Sequence, residues 1–246
     1  KVYVGTKETA GDELTIFDVS TLNNPTEIAS IPVTRNVNAI IVRNGLAYLA
    51  TGPGAAGTHN PLKVFDVNPV SPTYKQEIGS FTATCDEQGT SLFLIGNTLY
   101  LGLERATGGR PDFYILNAFT LSTIVSKNLS LNPSSAVIDS FVGGKYAFLA
   151  ISDPNYGFGV LDISILPIGS VAKFDYAQDA TGIDFENGFI YTSNQKNDAL
   201  RIIRPAECAD KIDDDSDGKI DQADPQCHTD GDADNPASYD PEDDDE

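Results

Sequence analysis

LTIFDVS at residues 14–20, LKVFDVN at 62–68 and FGVLDIS at 158–164 are three copies of one short phrase. Each runs mostly apolar residues into an Asp, then a β-branched residue and a small polar one. Weaker versions stand at 113–118 and 200–205. Self-similarity at intervals of roughly 20–50 residues marks a repeat architecture, so the fold is read from the repeat first. A second landmark runs in step with it. The pairs Asn44-Gly45, Gly96-Asn97, Gly143-Gly144 and Asn187-Gly188 are each followed at the third position by Tyr48, Tyr100, Ala147 and Tyr191, giving spacings of 52, 47 and 44 residues.

Asn-Gly and Gly-Gly pairs suit two-residue hairpin turns, whose central residues take positive φ. Their flanks are short β-branched pieces, AIIVR before the first turn and LAYLAT after it, and no stretch holds a helical period with caps. The second repeat therefore reads as four strands at 39–43, 46–51, 62–67 and 76–83. Four short antiparallel strands per unit of roughly 45 residues describe a β-propeller blade. Val2-Tyr3-Val4 aligns with the strand after the turn, so the N-terminal blade lacks its first strand. Residues 182–185, 189–193 and 200–204 supply a last blade lacking its fourth. The expected fold is all-β: about five blades, some incomplete, over 1–205, then an irregular acidic tail over 206–246. Open strand edges recruit another strand, either from a removed segment of the same chain or from a neighbouring subunit.

On the phrases at 14–20, 62–68 and 158–164, the chain resembles the LVIVD-repeat family of β-propellers. That resemblance implies a surface or secreted propeller and carries no catalytic residues across. The Asp of the phrase, at Asp18, Asp66 and Asp162, becomes Asn117 and Arg204 in the weaker copies. This pattern fits a turn or strand-end hydrogen bonder rather than a metal ligand.

The formal net charge is -20, and it is unevenly spread. Residues 206–246 hold 17 Asp or Glu against Lys211 and Lys219. Counterion release onto a nucleic acid needs clustered Lys and Arg, so this clustering argues against that partner and for cations. No apolar run is long enough to span a bilayer. The chain opens on Lys1-Val2 without Met or a signal sequence, which reads as a processed or truncated product.

Within the tail, CADKIDDDSDGKIDQADPQC (208–227) sets Asp213, Asp215, Asp217, Asp221 and Asp224 in the pattern D-x-D-x-D-G-x-x-D-x-x-D. A hard cation takes roughly 6–8 oxygens, and this loop offers side chains at positions 1, 3, 5, 9 and 12 with the Lys219 carbonyl at 7. Gly218, at position 6, permits the sharp turn. Cys208 and Cys227 bracket the loop. A bond between them would close about 20 residues and contribute about 3 kcal/mol in the chain-entropy model, pointing to an oxidising, extracellular setting. The alternative is two reduced thiols that never meet. Cys85 reads as a buried or semi-buried free thiol, with intermolecular pairing as the alternative. A second run, Asp230, Asp232 and Asp234, lacks a twelfth-position carboxylate and divides between a weaker ion site and a solvated tail.

From Cys208 onward the chain resembles thrombospondin type-3 repeats, whose loops stack around calcium with disulfides between them. The resemblance implies calcium at Asp213, Asp215, Asp217, Asp221 and Asp224, and it matches the bracketing cysteines to Cys208 and Cys227. The second run departs from the family pattern.

With only His59 and His228 in the chain, a metal hydroxide or a Ser-His nucleophile has little to be built from. Glu104, Arg105, Arg110 and Asp112 share one loop and read as a charged surface. Asn128-Leu129-Ser130 is a glycosylation sequon. Two functions follow as expectations. The first is an extracellular calcium-binding structural or adhesive protein that assembles with copies of itself into a polymer or filament. The alternative is a secreted propeller enzyme or ligand-binding module of the lactonase or glycosidase kind, using Glu104, Asp112 and Glu186.

Overall fold

The computed structural model describes residues 1–8, 11–53, 60–83, 87–104, 109–153, 155–174, 179–186, 188–195, 199–204, 208 and 217–240, the side chain of Asp221 excepted. His59, Cys85, Arg105, Asn187, Asp213 and Asp215 lie outside the described residues.

Five antiparallel sheets follow one another along the chain. The first holds β1 (Val2–Gly5), β2 (Leu14–Asp18) and β3 (Thr26–Ile31). The second holds β4 (Val37–Arg43), β5 (Leu46–Thr51), β6 (Leu62–Asp66) and β7 (Glu77–Phe81), and the third β8 (Gly89–Ile95), β9 (Thr98–Leu103), β10 (Phe113–Asn117) and β11 (Thr123–Lys127). The fourth holds β12 (Ala136–Gly143), β13 (Tyr146–Asp153), β14 (Tyr156–Asp162) and β15 (Gly169–Phe174), and the fifth β16 (Ala180–Glu186), β17 (Phe189–Asn194) and β18 (Leu200–Ile203). Strands within each sheet lie side by side in chain order. This is a β-propeller of about five blades, with the three-stranded sheets first and last.

One turn sits a residue later than the sequence suggests. Gly143 pairs with Tyr146 as the end of its hairpin, so the two-residue turn is Gly144-Lys145, with Gly144 at φ 57°. The third position after it is then Phe148, an aromatic like Tyr48 and Tyr100. The glycine doublet hid this, because either Gly can take the left-handed conformation.

Side chains alternate across each strand, so the core forms between consecutive sheets. Leu14, Ile16 and Ile31 of the first sheet meet Ala47, Leu49 and Phe65 of the second. The other face of β5 sends Tyr48 and Ala50 into a cluster with Leu99, Leu101 and Tyr114 of the third. Tyr100, Phe113 and Ile115 then pack with Leu149, Ile151 and Leu161 of the fourth. The middle strands of the second, third and fourth sheets are thus buried on both sides, which explains the near-continuous apolar runs LAYLA and TLYLGL.

The Asp of the repeated phrase ends its strand and turns the chain. Asp18 Oδ1 accepts from Ser20 N at 2.8 Å, Asp66 Oδ1 from Asn68 N at 2.9 Å and Asp162 Oδ1 from Ser164 N at 2.9 Å. Asn117 does the same for Phe119 N at 2.9 Å. Only the oxygen two residues back is needed, so Asn serves as well as Asp.

A further regularity escaped the sequence. Each of β4, β8 and β12 carries a bulge near its start, at Asn38, Thr90 and Ile138. The first two reach the first strand of the next sheet: Asn38 Nδ2 donates to Gly89 O at 2.7 Å and Thr90 Oγ1 to Val137 O at 2.6 Å. Ile138 cannot donate, and its neighbour takes over: Ile183 N donates to Asp139 Oδ2 at 3.1 Å. Bulges re-aim a side chain, and here they stitch sheets together.

Packing divides the chain into two compact units: Lys1–Asp184 with Thr192–Arg201, and Phe185–Tyr191 with Ile202–Glu246. The compositional boundary at 205 and this division rest on different properties, charge in one case and contact in the other. Among the described residues no helix is long and apolar enough to cross a membrane.

Candidate metal centre

The acidic tail is short of apolar residues, so its order must come from cross-links and hydrogen bonds. Cys208 and Cys227 are joined, with Cα atoms 5.4 Å apart across a separation of 19 residues, and both are fully buried. Between them Gly218 sits at φ 91°, the left-handed turn that the sixth loop position requires. Short 3-10 turns follow at Asp221–Ala223 and Pro225–Cys227.

The carboxylates fare differently. Asp217 Oδ1 accepts from Lys219 N at 2.9 Å, and its Oδ2 lies 3.4 Å from Lys219 Nζ, a half-exposed pair of small worth. Asp221 opens the first 3-10 turn. Asp224 caps the second: its Oδ1 accepts from Gln226 N at 2.7 Å. The residue is 0% exposed, and its Oδ2 is buried with no hydrogen-bond partner among the described residues. A carboxylate oxygen left in that state is costly unless a cation or donor meets it.

Beyond Cys227 the chain folds back on itself through His228. Its Nε2 lies 3.0 Å from Gln222 O, and its Nδ1 lies 2.9 Å from Ser238 Oγ and 3.1 Å from Asn235 O. Asp240 N donates to Cys227 O at 2.9 Å and Thr229 N to Ser238 O at 2.9 Å. The Tyr239 hydroxyl donates to Cys208 O. Tyr239 and the Asp240 main chain thus hold the two halves of the disulfide while His228 ties the returning chain to Gln222, parts the sequence did not reveal because they rest on tertiary contacts.

The second run spends its oxygens on protein donors. Asp230 Oδ1 accepts from Asp232 N at 3.1 Å, Asp230 Oδ2 from Asn235 Nδ2 at 2.7 Å and Asp232 Oδ1 from Asp234 N at 3.0 Å. Hydrogen bonds from the side chains of Ser238 and Asn235 hold the Asp230 carboxyl down at about 2. Among the described residues no three His, Cys, Asp or Glu side chains gather closely enough to hold a metal ion.

Asp112, Glu104 and Glu186 stand in different surroundings. Asp112 is buried, and its Oδ2 accepts from Leu129 N at 2.9 Å, pinning the chain between β11 and β12. Glu104 accepts from Gln88 Nε2. Glu186 is exposed. Asn128 is exposed too, its Oδ1 accepting from Ser130 N at 2.7 Å across the sequon.

Fold and tail together define an all-β propeller carrying a disulfide-closed acidic segment. No protein-family model matches the chain, and no curated protein does. Among solved structures it is similar to the computationally designed protein Ika8, at 16% identity and a TM-score of 0.57 over 81% of this chain and 54% of that one. It is also similar to the computationally designed Ika4, at 14% identity and a TM-score of 0.52 over 73% of this chain and 98% of that one. The chain thus spans about half the length of Ika8. At these identities the likeness bears on the fold alone.

Proposed function

We propose that this chain is an extracellular structural or adhesive surface protein whose disulfide-closed tail binds calcium and which assembles with copies of itself. The observation that carries the reading is Asp224: a fully buried carboxylate with one oxygen free of protein donors among the described residues, at the twelfth position of a D-x-D-x-D-G loop. The residues that would hold the ion are Asp213, Asp215, Asp217, Asp221 and Asp224, with the Lys219 main-chain carbonyl, the set thrombospondin type-3 loops resemble. A second, weaker ion falls to Asp230, Asp232 and Asp234, whose protein donors it would partly displace. Calcium supplies the charge that lets neighbouring carboxylates approach, so binding and ordering of the segment are one event. The LVIVD-like body serves as a rigid platform.

The test is the melting of the tail and the sedimentation of the whole chain, each in calcium and in chelator. A calcium-dependent rise in melting temperature with a change in assembly state is expected. If chelation alters neither, the reading fails.

A further inference from the structure

Counting back from Asp66, Asn117 and Asp162, the third residue is Lys63 in the second sheet, Tyr114 in the third and Gly159 in the fourth. In the first two the side chain at this place faces the preceding sheet and fills the space between. Lys63 Nζ donates to Val33 O at 3.2 Å and pairs with Glu77 at 3.0 Å. Tyr114 packs edge-on against Phe81, with ring centroids 5.1 Å apart at 64°. The connections between sheets obey the same equivalence: Val33 N donates to Glu13 and Leu129 N to Asp112, each acid standing just before its strand.

Gly159 leaves that space vacant in the fourth sheet, and a cavity of about 280 Å³ opens there. Buried Leu149, Ile151 and Leu161 give it an apolar floor. Lys127, at the end of β11, lines one side and donates to Ile168 O at 2.9 Å. Lys173 lines the other: it stands directly across the ladder from Gly159, with its Nζ 3.6 Å from the centroid of the Tyr156 ring. Neither ammonium pairs with a carboxylate among the described residues. No described acid lines the cavity, although the chain carries a net charge of -20. Backbone geometry does not call for the glycine. Its φ lies outside the left-handed region, and a Cβ there would meet only Ile151 Cδ1, at 3.4 Å. Glycine inside a strand marks a place where another group approaches closely.

We propose that this cavity binds a small aromatic acid, one flat ring bearing a carboxylate. The ring takes the place that the third sheet gives to the side chain of Tyr114, over the apolar floor and beside Tyr156. The carboxylate meets the ammonium groups of Lys127 and Lys173. An apolar pocket with a few convergent polar groups is the usual form of a ligand site, and a volume near the lower end of the range, roughly 300 Å³, suits a single ring. Opposite charges attract more strongly at the edge of a low-dielectric pocket than in open water, so the two lysines select the anion over its neutral amide. The site lies within the first compact unit, and it goes beyond the calcium reading without depending on it.

The probe is phenylacetate, titrated into the whole chain in chelator and followed by backbone amide chemical shifts. Saturable binding with a Kd of about 1–10 mM is expected of so small a ligand, with the shifts centred on Gly159 and Lys173. Phenylacetamide, which lacks the charge, and acetate, which lacks the ring, should each bind about tenfold more weakly or worse. Gly159→Tyr supplies the ring that the third sheet already carries, and it should abolish binding without lowering the melting temperature. Lys173→Gln should weaken binding about tenfold, and Lys7→Gln, at an exposed position between β1 and β2, should leave it unchanged. Should Gly159→Tyr melt below the parent, the comparison of Lys173→Gln with Lys7→Gln decides. The proposal is overturned if phenylacetate does not saturate the chain, if phenylacetamide binds as well, if a stably folded Gly159→Tyr still binds, or if the two lysine variants act alike.

Discussion

Asp224 and Gln226 are joined through Oδ1 at 2.7 Å, which turns the other carboxylate oxygen of Asp224 into the protein interior. Asp224→Asn, retaining the acceptor toward Gln226, should abolish most of the calcium-dependent stabilisation. In chelator it should leave the tail as stable as the parent or more so, because it removes the charge of a buried carboxylate whose Oδ2 meets no donor among the described residues. Differential scanning calorimetry with and without calcium reads both. With calcium at a hundredfold excess over Kd, the parent should gain about 2.7 kcal/mol that the variant lacks.

Reduction should act on the tail and spare the sheets. Cys208 and Cys227 close a loop with a separation of 19 residues, and opening it should cost about 3 kcal/mol locally. Limited proteolysis after dithiothreitol should cut between residues 208 and 240. Backbone amides of β5, β9 and β13 should keep their hydrogen-exchange protection.

Asp112→Ala should destabilise the first unit by about 1–3 kcal/mol, since it leaves the buried Leu129 N–H without this acceptor. Urea denaturation measures it. At the strand ends, Asp66→Asn should be tolerated where Asp66→Ala lowers the denaturation midpoint, because Asn117 already performs the same turn in the third sheet.

The turn around Asp230 should open only in strong acid. Its carboxyl is held at about 2, below the ordinary 3.8, by hydrogen bonds from Ser238 and Asn235. A depressed folded value means that the contribution is complete above 3.8 and is lost as pH falls from 3.8 through about 2. Asn235→Ala should move that transition upward, as followed by the carboxyl chemical shift of Asp230 in an NMR titration.

Turn chemistry and strand-end polar residues made the sheets legible. Asn44-Gly45 and the phrase ending in Asp66 each specify local geometry that only a few residue types can adopt, so they survive as pattern. The incomplete first and last sheets were legible for the same reason. The stitches of Asn38 and Thr90 were not, because a bulge leaves no mark beyond a polar residue inside an apolar strand. The clamp of Cys208 by Tyr239 depends on contacts 31 residues apart, and no spacing rule anticipates it. Asp224 was placed in the loop by spacing, but its burial is a tertiary fact. The slip at Gly144 shows the limit of pattern where two residues satisfy one rule.

The outermost strands of the first four sheets share an irregularity. Each carries one extra residue that faces no partner across the ladder: Ile28, Ile78, Ile124 and Val171. All four are among the exposed large apolar residues. A ladder interrupted in this way twists and cannot lie flat against a neighbour's edge, so the apolar rim does not zip side by side into a continuous sheet. At high concentration the outer rims should therefore resist edge-to-edge clumping.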